Sequence, residues 1–271
     1  MDYQTFEPSE DLAAFVKCYW TLESPKEDIP EKQTIVPDGC LEMIFHHGDL
    51  YAQYTEEGNR IIQPRCFVFG QLSRPLEIEP TGVTGIFSVR FHPNGFLPFA
   101  TLSIKEMENT AVSLERLFGN EGLEMEQQVL STNSTLEKIK KVETFLLNRL
   151  TDSETVDRIV KSTIETILTA NGHLSIDELS KQTNINRRQL ERKFSSTIGL
   201  SPKQLSKTIR LQATLKMLLN KKFTSLTALA YDNEFYDQAH FIKDFRELTG
   251  FTPKEFYGNN LKMSSLFYGK E

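Results

Sequence analysis

Two periodicities divide the chain. Between 33 and 92 apolar and polar residues alternate in short runs, and Cys40-Leu-Glu-Met-Ile-Phe-His47, Arg65-Cys-Phe-Val-Phe69, Pro75-Leu-Glu-Ile-Glu79 and Gly85-Ile-Phe-Ser-Val-Arg-Phe-His92 have the length and composition of strands. Breakers at Pro37-Asp38-Gly39, His47-Gly48-Asp49, Pro80-Thr81-Gly82 and Pro93-Asn94-Gly95 place the turns between them. The pattern predicts an antiparallel β-sandwich or barrel. Beyond Gly95 the period lengthens: Leu136, Ile139, Val142, Leu146 and Leu150 recur at spacings of three and four, which predicts an amphipathic helix over 135–150. Its apolar stripe either packs on the β-domain or pairs with a second subunit. The polar run 151–155 opens a linker, so the chain divides into a β-rich domain with a helical extension (1–150), a linker (151–159), an all-helical domain (160–258) and a tail (259–271). The fold class is α+β.

The helical domain repeats itself. Leu190-x3-Phe194-x4-Gly199-x2-Pro202 recurs as Phe241-x3-Phe245-x4-Gly250-x2-Pro253 at an offset of 51, and Ser175-x3-Leu179-Ser180 recurs as Ser225-x3-Leu229-Ala230 at an offset of 50. One residue is therefore inserted between the two blocks of the second copy. Each copy has the layout of helix, tight turn, helix. Ser175 with Glu178 forms a capping box for a helix over 176–183, Asn184-Ile-Asn186 turns, Arg187 to Thr197 is the second helix, and Gly199 ends it. Leu179, Ile185, Leu190 and Phe194 make a small core, the arrangement of a helix-turn-helix. Between the copies Ser201-Pro202 opens a helix to about Leu219, some 27 Å at about 1.5 Å per residue, near the ~34 Å between successive major-groove faces of B-DNA.

Burying Leu190 and Phe194 leaves Arg187, Arg188, Gln189, Glu191, Arg192 and Lys193 outward. Arg reads guanine edges, Gln reads adenine, and Lys or Arg neutralises phosphate. Asn186, Arg187, Arg188, Gln189, Arg192 and Lys193 are thus the candidate DNA contacts of the first unit, set against the alternative of an ordinary solvated face. The second unit offers Tyr236, Asp237, Gln238, His240 and Lys243, with Arg246 beyond; this set is nearly neutral, as befits a phosphate anchor. No second metal ligand is expected at helical spacing from His240.

Charge sharpens the division. Of 271 residues, 1–159 carry 14 Lys and Arg against 26 Asp and Glu, a net −12, leaving +6 on 160–271 within an overall −6. An acidic front and a basic back fit two domains with different partners, the back one a polyanion, and charge attraction could restrain the reader against the front domain. Cys18, Cys40 and Cys66 have no Cys-x-x-Cys spacing and read as reduced core thiols. With no long apolar run and an acidic start, a soluble, cytoplasmic protein with no membrane partner is expected.

The strand at 85–92 sets Ser88, Arg90 and His92 on one face and Phe87, Val89 and Phe91 on the other, so one face is core. If the polar face lines the interior, Arg90 is a candidate anion binder with Trp20, Glu42 and His46 as neighbours; otherwise it is a surface charge or an interdomain salt bridge. Glu42, His46, His47 and His92 raise the alternative of a metal-dependent cupin-type enzyme. The adjacent His46 and His47 point to opposite faces of a strand, which argues against it. No nucleophile elbow, phosphate loop or dinucleotide fingerprint occurs, so neither an enzyme nor a cofactor or metal is expected.

Arg188-Gln-Leu-Glu-Arg-Lys-Phe194, Gly199-Leu-Ser-Pro202, Tyr236-Asp-Gln-Ala-His-Phe241, Phe245-Arg-Glu-Leu-Thr-Gly250 and Thr252-Pro-Lys-Glu-Phe256, at these spacings, resemble the DNA-binding domain of the AraC/XylS family of bacterial transcription regulators. Ile35-Val-Pro-Asp-Gly-Cys40, Phe69-Gly-Gln71 and Val89-Arg-Phe-His-Pro93 resemble an N-terminal domain of a subset of that family. The resemblance implies a sequence-specific regulator acting through promoter double-stranded DNA and RNA polymerase, with a β-rich, often cupin-like, front domain that binds an effector or dimerises. Asn233-Glu234 departs from the small residue and glycine many members carry there.

Overall fold

The computed structural model describes residues 1–27, 29–150, 157–220, 225–232, 235 and 237–258. Among these described residues, ten strands form two antiparallel sheets. β1 (Asp2–Phe6), β2 (Val16–Ser24), β4 (Glu42–His46), β7 (Cys66–Phe69), β9 (Thr84–Phe91) and β10 (Ala111–Ser113) make the first, in the order β1-β2-β9-β4-β7-β10. The second runs β3-β8-β5-β6, from β3 (Gln33–Ile35), β5 (Tyr51–Tyr54), β6 (Arg60–Ile62) and β8 (Leu76–Pro80).

Both faces of β9, in the middle of the first sheet, are covered, where the sequence led to the expectation of one core face. Phe87, Val89 and Phe91 pack into the main apolar cluster with Met43, Phe45 and Val68, beneath helices α1 (Leu114–Phe118), α2 (Asn120–Leu130) and α3 (Thr135–Arg149). The opposite face meets the second sheet, where Trp20, Leu22 and Ile86 pack on Tyr51 and Ile78. Every residue of β9 is consequently buried. Its polar residues Ser88 and Arg90 lie between two sheets, where only other protein groups can satisfy them.

The α3 stripe is occupied. Ile139, Val142 and Leu146 are buried in the main cluster and Leu150 packs against it, whereas Leu136, in the first turn, is 68% exposed and not part of the stripe. Glu143 on the same helix accepts hydrogen bonds from the Ser9 amide (2.8 Å) and the Tyr19 hydroxyl (3.2 Å), fixing the helix to the sheet. Cys40 and Cys66 are buried and Cys18 is half-buried, all three as free thiols.

Of the expected linker, 151–156 lie outside the described residues, as does the tail from 259. Asp157 caps α4 (Arg158–Thr169) by accepting from the Ile159 amide at 2.9 Å. There follow α5 (Ile176–Thr183), α6 (Arg187–Ile198), α7 (Pro202–Leu219), α8 (Leu226–Asp232), α9 (Gln238–Thr249) and α10 (Pro253–Gly258). The α5/α6 core gathers Leu179, Leu190, Phe194 and Ile198 with Val160 and Ile164 of α4, and α7 contributes Leu205 to it. Further along, α7 gives Leu211, Leu215 and Leu218 to the core around Phe241 and Phe245.

The segment from Val36 to Cys40 ties the halves together. Val36 is buried within the Phe241 cluster, Gln212 on α7 donates its amide to the Pro37 carbonyl, and Gly39, at φ +80°, leaves room for Leu205 on α7. The front domain also presents a 3₁₀ turn, Ile104–Met107, to the C-terminal end of α6, where Ile104 lies against Gly199. These contacts are apolar or hydrogen-bonded, so the joint does not need the charge attraction suggested by the sequence. Gly70 holds the 3₁₀ turn against the sheet, because a Cβ there would overlap the Met107 carbonyl. Gly70→Ala should therefore cost roughly 1–3 kcal/mol of unfolding free energy in urea titrations; an unchanged midpoint would show that the turn yields freely.

Candidate nucleic-acid interface and interior cavity

The duplication is visible atom by atom. Asn186 caps α6 by accepting from the Gln189 amide at 2.9 Å, and Asp237 caps α9 by accepting from the His240 amide at 2.7 Å, an offset of 51. Gly199 and Gly250 end the two helices in the left-handed conformation, at φ 83° and 80°. Before the caps the offset is 50: Ile185 donates its amide to the Ser180 carbonyl, and Phe235 to that of Ala230. The one-residue offset thus arises between Phe235 and Asp237. Tyr236 itself, like Asn233 and Glu234, lies outside the described residues.

On α6, Arg187, Arg188, Gln189 and Arg192 are exposed, and the front domain does not cover them. Arg187 is oriented by Glu191 (Nε–Oε1 3.1 Å) and Asp177 (3.7 Å), while Lys193 sits 2.6 Å from the Asp157 carboxylate, tying α6 to the start of α4. That contact with Lys193 helps hold the Asp157 carboxyl below the usual carboxylate range. Asn186 and Asp237 spend their side-chain oxygens on the caps, so any role in binding is shared with a structural one. On α9, Gln238, His240, Lys243 and Arg246 are exposed. Contrary to expectation, His240 does have a carboxylate one helical turn on: Asp244, at 3.5 Å, which Lys207 of α7 already engages at 2.9 Å.

The second site is a cavity between the sheets, and Trp20, Glu42, His46 and Arg90 all line it. Strand pairing explains why. Glu42 stands opposite Arg90 and Ile44 opposite Ser88 across β4 and β9, with Cys18 and Trp20 opposite the same two positions from β2, so side chains of one face converge. Arg90 is neither a surface charge nor an interdomain bridge: its guanidinium contacts Asp38 and, at 3.3 Å, Glu42. Glu42 also accepts from the Ser88 hydroxyl at 3.2 Å. Burial nevertheless pushes the Glu42 carboxyl up to about 7, against the opposing pull of Arg90.

His46, at the far end of the cavity, is buried, with the Gln63 side chain as its polar neighbour. Burial lowers its pKa to about 4, so the ring is neutral near pH 7. His47 faces away and bonds Glu23 at 2.6 Å, as the alternation of a strand requires. The sequence reading missed Asp38, Tyr51 and Gln63. Asp38 lies in a segment that reads as a turn and carries the family resemblance but gives its carboxylate no role, and the other two reach the cavity through pairings of the second sheet that strand alternation does not specify.

Residues 4–113 match a family described as a domain of unknown function, DUF6597, and residues 179–259 match a helix-turn-helix domain family. The HTH-type transcriptional regulator GbdR of Pseudomonas aeruginosa is 33% identical over 82 residues, covering 30% of this chain and 22% of GbdR. The regulator MtrA of Neisseria gonorrhoeae is 34% identical over 82 residues, covering 30% of this chain and 27% of MtrA. The chain thus spans about a quarter of the length of these curated relatives. Among solved structures, ToxT from Vibrio cholerae aligns over 95% of this chain and 98% of its own, at 12% identity and a TM-score of 0.47. The C-terminal domain of AraT, a response regulator from Geobacillus stearothermophilus, aligns over 39% of this chain and 88% of its own, at 19% identity and a TM-score of 0.36. The molecule is a β-sandwich joined to a double helix-turn-helix. Its second domain matches the helix-turn-helix family over residues 179–259 and is similar there to the regulators GbdR and MtrA.

Two buried titrations of opposite sign make the cavity visible in stability. The native fold keeps a proton on Glu42 that the unfolded chain releases between about 4.5 and 7, so this group's contribution falls as pH rises through that window. His46 does the reverse: the unfolded chain takes up a proton below about 6.5 and the native chain not until about 4, so its contribution is lost as pH falls. Urea titrations should show His46→Leu less destabilised by acid than the wild type over that window, by up to roughly 3 kcal/mol at 1.36 kcal/mol per pKa unit. Glu42→Gln should lose less stability than the wild type between pH 5 and 7. Parallel pH profiles for all three proteins would show that neither group is buried as described.

Proposed function

We propose that the protein is a sequence-specific DNA-binding transcription regulator. α6 and α9 enter successive major grooves, and the cavity of the front domain receives a small-molecule effector. The observation that carries this reading is the pair of capped helices repeated at one spacing on either side of α7, the first presenting Arg188, Gln189 and Arg192 to solvent. α6 supplies the base-edge donors. α9, with fewer charges, contributes mainly through Lys243 and Arg246 to phosphate. The eighteen-residue α7 sets the separation of the two, and both share its apolar face, so neither can shift without disturbing it.

The Val36–Cys40 segment gives the effector reading its route. Val36, Asp38 and Cys40 line the cavity, while Val36 packs in the second unit's core and the Pro37 carbonyl holds Gln212 of α7. A ligand that shifts Asp38 relative to Arg90 moves a segment anchored directly on the connecting helix. A ligand that binds the two poses with different affinity then biases the reader by that difference.

The binding test uses the full chain and a site selected from random duplexes. Arg188→Ala, Gln189→Ala and Arg192→Ala should each weaken binding to the selected site by about 1–3 kcal/mol and relax preference at a single base position. Lys243→Ala should weaken all sequences alike and flatten the salt dependence by roughly 0.9 in log–log slope. Unchanged affinity and preference in the three α6 variants would remove α6 as the reading helix.

A further inference from the structure

We propose that the cavity between the sheets takes a small organic cation, a short protonated amine with a hydrogen-bonding group at its other end. This rests on the reading of the front domain as an effector domain. It is carried by the inventory of charge in a buried space: Asp38, Glu42 and Arg90 are the ionisable acid and base side chains at one end, two carboxylates on one guanidinium. Ionised, the cluster is left with one uncompensated negative charge in a medium where a charge must be paired. Arg90 is spent on its two partners, so an anion would find its guanidinium already neutralised and two carboxylates beside it. A cation completes the set.

The rest of the lining fits the same ligand. Trp20 and Tyr51, both buried, and Ile44, Ile78 and Ile86 wall the middle of the cavity, and an indole beside the carboxylates favours an ammonium. His46 stands at the opposite end beside the Gln63 side chain, and being neutral near pH 7 this pair offers hydrogen-bonding groups to a ligand without adding a competing positive charge. Glu42 and His46 are four residues apart on one strand face, about 13 Å between their Cα atoms at about 3.3 Å per residue. The space open to the centres of water-sized atoms is about 80 Å³, room for roughly five to eight of them at 10–15 Å³ each. The ligand is therefore a thin chain rather than a ring system. The raised Glu42 carboxyl is consistent with a proton standing in for that cation when the cavity holds no ligand.

The test is calorimetric titration of the full chain with three molecules of matched length: 4-amino-1-butanol, the neutral 1,4-butanediol and the anionic 4-hydroxybutyrate. The amine should bind at least tenfold more tightly than the diol, and the anion should not bind detectably. Glu42→Gln and, independently, Asp38→Asn should each abolish the preference for amine over diol. Because the three-probe comparison is made first on the wild-type chain, a variant that fails to fold does not spoil it. Equal binding of amine and diol, tighter binding of the anion, or binding of none of the three overturns the proposal. Running the same probes against the affinity for the selected DNA site separates the two readings. An amine that binds without altering DNA affinity supports the cation site and overturns the effector role; an anion that binds and alters DNA affinity does the opposite.

Discussion

A guanidinium buried between two sheets must find its counter-charges there, and much of this molecule follows from where Arg90 finds them. β9 is covered by helices on one side and by the second sheet on the other, so it cannot turn its polar residues to water. Arg90 is matched by Glu42 from the neighbouring strand and by Asp38 from a loop. The loop is the consequential partner: Asp38 stands between Pro37, whose carbonyl receives Gln212 of α7, and Gly39, which makes room for Leu205 of the same helix. One ion cluster therefore pins a cavity wall and, through it, the helix that spaces the two helix-turn-helix units. Removing Arg90 from this cluster leaves two buried carboxylates without a counter-charge, typically a cost of several kcal/mol, whereas a ligand that adds a charge changes its balance without breaking it.

The helical half is governed by a different economy. α6 and α9 are each begun by a side-chain cap and ended by a left-handed glycine, so their limits are set locally, and the apolar pairs Leu190/Phe194 and Phe241/Phe245 decide which face turns inward. The one-residue offset between the copies arises between Phe235 and Asp237, leaving cap, core pair and terminal glycine in register with the first copy. What differs is the outward face. α6 presents arginines and a glutamine, whereas α9 presents fewer charges and has Asp244 of its inner side bound to Lys207 on α7.

This contrast explains what the sequence made legible. Capping boxes, terminal glycines and i, i+4 apolar pairs are local signals, and they located α5, α6 and α7 to within a residue. Strand alternation likewise put Glu42 and His46 on one face of a strand and Ser88 with Arg90 on one face of another, and the candidate pocket of Trp20, Glu42, His46 and Arg90 followed if those polar faces turn inward. It did not reveal that both faces of β9 are covered, since burial depends on helices and strands that arrive from far along the chain. For the same reason it left the partners of Arg90 open, and Asp38, in a Pro-Asp-Gly turn, looked like punctuation. The stripe on α3 was read correctly as amphipathic, but its partner, the domain's own sheet, and the exclusion of Leu136 are tertiary facts.

The central claim is that one chain places two reading helices in adjacent major grooves at a separation fixed by α7. Hydroxyl-radical footprinting of the full chain on a selected site, at protein concentrations where sedimentation shows a monomer, tests it most directly. The account predicts two protected patches on one face of the duplex, centred about 34 Å apart, both present at one bound chain per site. A single patch at that stoichiometry, or a second patch that forms only when a second chain binds, would contradict it.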